Sequence, residues 1–184
     1  MSFVNALALV LCVIGGILTY LCLGPLAGWI LIWAIFIATA TGVALGGTPE
    51  AFKNLVICGI AGVIIAWIGS MIILEVPLAA TLTLPVWGAI VVGVTTGCLA
   101  LVANIPLFPA IPATVVGYAM TFAHLLGNPK ELLTVANLTG ATYLNPVVSI
   151  SLSIIVAAGF GLVTLKLATM LSSGTTAASP APAE

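Results

Sequence analysis

Apolar residues run through this chain in long blocks, separated by short breaks rich in glycine, proline and asparagine. The first block extends from about Phe3 to Leu23 and stops at Gly24-Pro25, where proline cannot continue a helix and glycine turns cheaply. The second, about Leu26 to Leu45, must run back antiparallel, because a two-residue break cannot cross a membrane. Gly46-Gly47-Thr48-Pro49-Glu50 then reads as a helix start. Thr48 can cap, Pro49 suits the first helical position, and Glu50 favours the positive end of the helix dipole. The third block runs from Pro49 to about Leu74, the fourth from Val86 to Ala103 after an apolar loop over Glu75 to Pro85, and the last from Pro146 to Leu171. Each is near the length of about 20 residues that a helix needs to cross a bilayer.

Between the fourth and last blocks the pattern changes. Asn104-Ile105-Pro106-Leu107-Phe108-Pro109-Ala110-Ile111-Pro112 holds three prolines at a spacing of three, which a regular helix cannot accommodate. The segment is still apolar, so it is expected against or within the protein, where non-helical backbone at membrane depth is tolerated. The run that follows, Pro112 to Leu126, spans only about 22 Å as a helix, short of a hydrocarbon core of about 30 Å. It either crosses steeply or re-enters. Asn128-Pro129-Lys130-Glu131 reads as a further capped start, of a short interfacial helix to about Ala136, and Asn137 to Asn145 as a polar break. The pattern predicts an all-α fold, a polytopic transmembrane helical bundle of five long spans plus one short or re-entrant helix. It forms a single domain over 1–171, with a disordered Ser/Thr/Ala/Pro-rich tail over 172–184.

Composition turns that pattern into a solvent argument. Hydrophobic residues make up 62% of the 184 residues and charged residues 4%, against roughly 25% charged in an ordinary soluble domain. Lipid must therefore solvate much of the surface, and continuous apolar runs exclude the alternating strands of a membrane β-barrel. The bases are Lys53, Lys130 and Lys166, with no arginine; the acids are Glu50, Glu75, Glu131 and Glu184. A net charge of −1 argues against nucleic acid as a partner and offers no polybasic patch for anionic lipid. With six true spans Lys53 and Lys166 share a side; with a re-entrant fifth segment Lys53 and Lys130 do. Either way Lys53 lies on the side of the N-terminus, which places that end in the cytoplasm by the positive-inside rule, with dual topology as the alternative. Cys12, Cys22, Cys58 and Cys98 all sit in apolar runs without metal-ligand spacing and read as small hydrophobes. The first block lacks a basic leader and a cleavage site and reads as a retained helix.

Two stretches carry a resemblance. One is Leu26-Ala27-Gly28-Trp29 through Gly46-Gly47-Thr48-Pro49 to Ala61-Gly62-Val63-Ile64-Ile65-Ala66-Trp67. The other is Pro109-Ala110-Ile111-Pro112-Ala113-Thr114-Val115-Val116-Gly117-Tyr118-Ala119-Met120-Thr121-Phe122-Ala123. Together they resemble the YcdZ-like bacterial inner-membrane protein family (domain of unknown function 1097). The resemblance implies a small multi-pass protein of the bacterial inner membrane. It supplies neither substrate nor catalytic residues. A looser likeness, to half of a urea-transporter-type fold, is analogy at the level of fold alone.

The chain is poor in reactive groups. With one histidine, no aspartate and no arginine, it offers no Ser-His-Asp triad, no zinc-protease motif and no phosphate loop. No enzyme activity, metal or cofactor is expected. Transport asks for less. Carbonyls freed around Asn104 to Pro112, with Thr114, Tyr118 and Thr121 at i, i+4 and i+7 on the next helix, form a candidate pathway for a small neutral solute. Asn145 is expected to approach from a second break, and His124 serves as a gate or as a boundary residue. The opposing reading is that the breaks only shape a packed bundle whose hydroxyls bond to the preceding turn. Gly59, Gly62, Ala66 and Gly69 form a small-residue face, for helix packing or for a pore lining. Trp29 and Trp87 read as interface anchors, Trp33 and Trp67 as packed between helices. The alternative function is a non-transporting structural or accessory membrane protein that acts through helix–helix partners, including a homo-oligomer.

Overall fold

The structure, a computed structural model, describes residues 1–127 and 132–173. Among them lie eight helices: α1 (Phe3–Leu23), α2 (Ile32–Ala44), α3 (Pro49–Glu75), α4 (Ala79–Leu82), α5 (Leu84–Val102), α6 (Ile111–Leu126), α7 (Val135–Thr139) and α8 (Pro146–Ser173). Thr48 caps α3 as expected, its hydroxyl accepting from Ala51 N at 3.1 Å, with Pro49 at the first helical position. Four helices, α1, α3, α5 and α8, are long and apolar enough to cross a membrane, and α2 and α6 are shorter apolar helices. The chain is thus an integral, multi-pass membrane protein whose apolar helices face lipid.

The expected fifth long span is corrected. The block from Leu26 to Leu45 is helical only from Ile32, because residues 24–31 form successive turns with Gly28 at φ +85°. The ring of Tyr143 lies where a β-carbon on Gly28 would sit. The start of α2 is set from far along the chain, where Ser153 Oγ of α8 accepts from Leu31 N at 2.9 Å. Two further expectations change. The loop after Glu75 contains the short α4. The interfacial helix expected to reach Ala136 begins in residues outside those described, and the helix found there is α7, capped by Thr134. The expected tail also lies outside the described residues beyond 173, where α8 ends.

Contacts fix the direction of each helix. α6 runs parallel to α3: Gly62 meets Thr114 and Tyr118, and farther along Trp67, Met71 and Leu74 cluster with Leu125. α8 runs parallel to α2, from Leu31–Ser153 through Thr39–Ala157 to Gly47–Leu165. α1 is antiparallel to α8, and α5 is antiparallel to α3, with Thr95 against Gly69 and Leu99 beside Ala66. Phe3 and Ser173 therefore lie at one end of the bundle, as do the exposed Lys53 and Lys166.

The same contacts divide the bundle into two three-helix units of one plan, α1-α2-α3 and α5-α6-α8. Each has a long helix, a turn segment (24–31 or 103–110), a short helix and a helix of 27 or 28 residues. The short helix of each unit packs on the long last helix of the other. Because the three helices of each unit alternate in direction along the bundle, the second unit is inverted relative to the first. Burial follows the same rule. Ala34, Ile35, Ala38, Thr39 and Gly42 of α2 are buried, and so are Ala113, Thr114, Gly117, Tyr118 and Thr121 of α6, in the same register. Phe52, Leu55, Gly59, Gly62 and Ala66 of α3 correspond likewise to Ile150, Ser153, Ala157, Phe160 and Thr164 of α8. Periodicity of this kind is what a helix buried along one stripe requires.

Candidate functional site

The expected pathway residues fall along α6 and at its two ends. Thr114, Tyr118 and Thr121 share the buried face of α6, pressed against α3. At this crossing the backbones themselves meet. A β-carbon on Gly62 would overlap the carbonyl of Thr114, and one on Gly117 would overlap the carbonyl of Gly59. Small residues allow so close an approach, and dispersion contact along it replaces the hydrophobic drive that lipid does not supply. The face of Gly59, Gly62, Ala66 and Gly69 is thus spent on packing: against α6 at Gly62, Ile154 of α8 at Gly59 and Thr95 of α5 at Gly69.

The hydroxyls on α6 have partners. Thr114 Oγ1 donates to Ala110 O at 3.3 Å and Thr121 Oγ1 to Gly117 O at 2.9 Å, both one turn back. Tyr118 reaches sideways instead. Its hydroxyl shares a 2.7 Å hydrogen bond with Thr95 of α5, and its ring packs on Phe122 with centroids 5.0 Å apart. Such pairing satisfies polar groups that would be costly to leave bare in an apolar interior.

Asn104 and His124 lie at opposite ends of α6. Asn104 is exposed, its amide folded back onto Leu101 O at 3.0 Å. Residues 104–107 are exposed as well, whereas Phe108 and Ala110 pack on the core, so the proline segment lies against the protein, one of the two expected placements, and not within it. Prolines 106, 109 and 112 bring the chain over the bundle end and start α6, where Pro112 suits the first turn.

The other end carries a polar cap. The Asn145 amide donates to Leu138 O and Gly140 O, both at 2.9 Å, and its Oδ1 accepts from Val147 N at 2.9 Å. Trp67 Nε1 donates to the same Leu138 carbonyl at 2.8 Å. His124 is buried, bonded to the backbone of Leu144, with Nε2 left without a partner. A hollow of about 380 Å³ beside this cap is lined by Trp67, Leu138, Thr139 and Asn145. The structure thus joins His124 and Asn145 at one end, strings Thr114, Tyr118 and Thr121 along the α3 crossing, and leaves Asn104 at the other end. Of the tryptophans, Trp67 packs between elements, whereas Trp33 is exposed on the outside of α2, a correction that follows from α2 presenting only its Ala34–Ala38 side to α8. Trp29 is exposed and packs on Tyr143.

Sequence reasoning missed three polar residues that the fold uses between helices. These are Thr39, which donates to Ala157 O at 3.2 Å, Ser153, which caps α2, and Thr95. Ser149 and Ser153, four apart on α8, were the available signal, since repeated hydroxyls on one helix face mark a helix contact.

Residues 8–178 match the model of the family described as protein of unknown function (DUF1097). The chain belongs to this family. No curated protein and no solved structure matches it. DUF1097 is the family that the two sequence stretches resemble.

Proposed function

We propose that this DUF1097 protein is a facilitative carrier of the bacterial inner membrane that moves a small neutral solute without enzymatic chemistry. The observation that carries the reading is the pair of inverted three-helix units, each with a broken segment ahead of its short second helix. Inverted units with interrupted helices at their interface are a recurring basis for alternating access. The Gly62–Gly117 crossing serves as the pivot, because backbone contact there allows rotation with little side-chain repacking. In the described state this crossing closes the route. Motion of α6 off α3 would free the hydroxyls of Thr114, Tyr118 and Thr121 for a solute, with Asn104 at one mouth and His124 and Asn145 at the other. A neutral cargo fits because the described spans hold no Asp, Glu, Lys, Arg or His near their centres, where a coupling ion would need one. Lys53 and Lys166, at the bundle end that holds Phe3, support a cytoplasmic orientation of that end by the positive-inside rule.

Stopped-flow flux in proteoliposomes tests this. A panel of small neutral solutes and ions is compared with protein-free vesicles and with an Asn104→Leu, Tyr118→Phe variant. Saturable, solute-selective flux that the variant loses is the expected result. Flux equal to empty vesicles across the panel, from protein shown to be folded, would sink the carrier reading.

The accessory reading keeps one specific support. Gly88, Gly93 and Gly97 of α5 face open space, with nothing within 4 Å of a β-carbon placed on them. A Gly97→Leu variant that loses an oligomer or partner while flux stays at the vesicle baseline would favour that reading instead.

A further inference from the structure

The inverted units are not filled alike. In the second unit, the ring of Tyr118 on α6 lies beside Ala66 of α3, Leu99 of α5 and Phe122, with its hydroxyl on Thr95. By register, the first unit has Thr39 where the second has Tyr118, Val43 for Phe122 and Thr164 for Ala66. Thr39 is too short to take the place of the tyrosine ring, and the ring of Phe52 lies against Gly42 and Gly161. A cavity of about 410 Å³ stands there instead, between α1, α2 and α8, lined by Thr39, Val43, Thr164, Leu7 and Leu11 among others. It has the size range of small-molecule sites. Its outer wall includes Leu11, Phe36 and Val43, all substantially exposed on the lipid-facing side.

One polar group marks the cavity. Thr164 is 3% exposed and its Oγ1 has no hydrogen-bond partner. A threonine in a helix ordinarily returns its hydroxyl to the carbonyl one turn back, as Thr95, Thr114 and Thr121 do here. A buried hydroxyl left bare costs free energy unless a ligand or water satisfies it. Thr39 donates its hydroxyl to Ala157 O at 3.2 Å and does not partner Thr164.

We propose that this cavity binds a lipid-soluble phenol: an aromatic ring that occupies the place of the Tyr118 ring, with its hydroxyl on Thr164 Oγ1. The fold shows related chemistry in its other half, where the Tyr118 ring packs beside Ala66, the residue in register with Thr164, and its hydroxyl is held by a threonine of another helix, Thr95. The ligand reaches the site laterally from the bilayer past Leu11 and Val43, and room beyond the ring accommodates a short apolar substituent. The site lies apart from the α3–α6 interface and does not depend on the carrier reading.

The test uses full-length protein in phosphatidylcholine nanodiscs, with empty nanodiscs as reference, and ¹⁹F NMR of 4-(trifluoromethyl)phenol and trifluoromethylbenzene. The phenol is expected to show saturable binding, at least tenfold tighter than the arene that lacks the hydroxyl. Thr164→Val should weaken the phenol about tenfold and leave the arene unchanged. Thr39→Tyr, which supplies the ring covalently as the second unit does, should abolish binding and raise the unfolding temperature. Should that variant fail to fold, Ala40→Phe at the cavity wall is the second block and should also abolish binding. Equal affinity for phenol and arene would show an apolar void that bilayer acyl chains fill, and would overturn the proposal. So would the absence of saturable binding, or phenol binding that persists unchanged in a folded Thr39→Tyr or Ala40→Phe protein.

Discussion

The two places where a short helix crosses a long one differ by a few atoms and behave as opposites. At the α3–α6 crossing, Gly62 and Gly117 let backbone touch backbone. At the equivalent α8–α2 crossing, the same register positions hold Phe160 and Ala38. Phe160 meets Phe36 edge-on at 6.0 Å, and the ring of Phe52 lies against both Gly42 of α2 and Gly161 of α8. The close crossing leaves no room for a methyl group; the wide one leaves a cavity. One helix plan thus accepts either arrangement, and the two differ at both register positions of the crossing, Gly62 against Phe160 and Gly117 against Ala38.

The comparison can be broken most forcefully at the glycine. Gly62→Leu drives a side chain into the Thr114 carbonyl, which cannot yield as a side-chain end would. We expect a loss of at least about 3 kcal/mol, read from the midpoint of SDS-induced unfolding in mixed micelles. A loss under about 1 kcal/mol would mean that α6 sits on α3 less rigidly than the geometry requires. At the wide crossing the damage comes from removal. Phe160→Ala deletes a buried ring that packs edge-on against Phe36 of α2 and should cost about 3 kcal/mol in the same assay. A cost near zero would show that the two helices can close on each other as α3 and α6 do.

Smaller changes sharpen the contrast. Tyr118→Phe keeps the ring but removes the hydroxyl from Thr95, which retains its bond to Val91 O at 2.8 Å. A loss of about 1 kcal/mol is expected; no loss would show that the ring alone fills the second unit. Gly159→Ala lies on α8 where a β-carbon meets nothing within 4 Å. It should be neutral or stabilising by up to about 1 kcal/mol through helix propensity. Destabilisation there would reveal a neighbour that the described chain does not contain.

Much of the architecture could be read from the apolar blocks. Phe3–Leu23 and the Thr48-capped helix from Pro49 followed from local signals that need no tertiary partner. The true start of α2 did not, because it depends on Ser153 Oγ, 122 residues away, and on Tyr143 covering Gly28. Within Leu26 to Ile30 only Gly28 weakens local helix propensity, a signal that the surrounding apolar run masks. The candidate pathway was legible as a face, since Thr114, Tyr118 and Thr121 share one. What that face meets was not legible: helix spacing places residues on a stripe without saying which helix covers it. The inverted relation of the units was also hidden, because it is kept in which positions are buried and hardly at all in residue identity. Gly62 answers to Phe160, and Tyr118 to Thr39.

The bond from Ser153 to Leu31 sets a timetable. An opening turn of a helix in lipid needs partners for its backbone N–H groups. For α2 one partner is synthesised only with the last helix. At typical rates of about 5–20 residues per second, the first unit waits on the order of ten seconds for the residue that completes it. Until then α1, α2 and α3 are a provisional hairpin set, exposed to membrane quality control. A chain that terminates before α8 should therefore be cleared from the cell even though all of its first unit has been made.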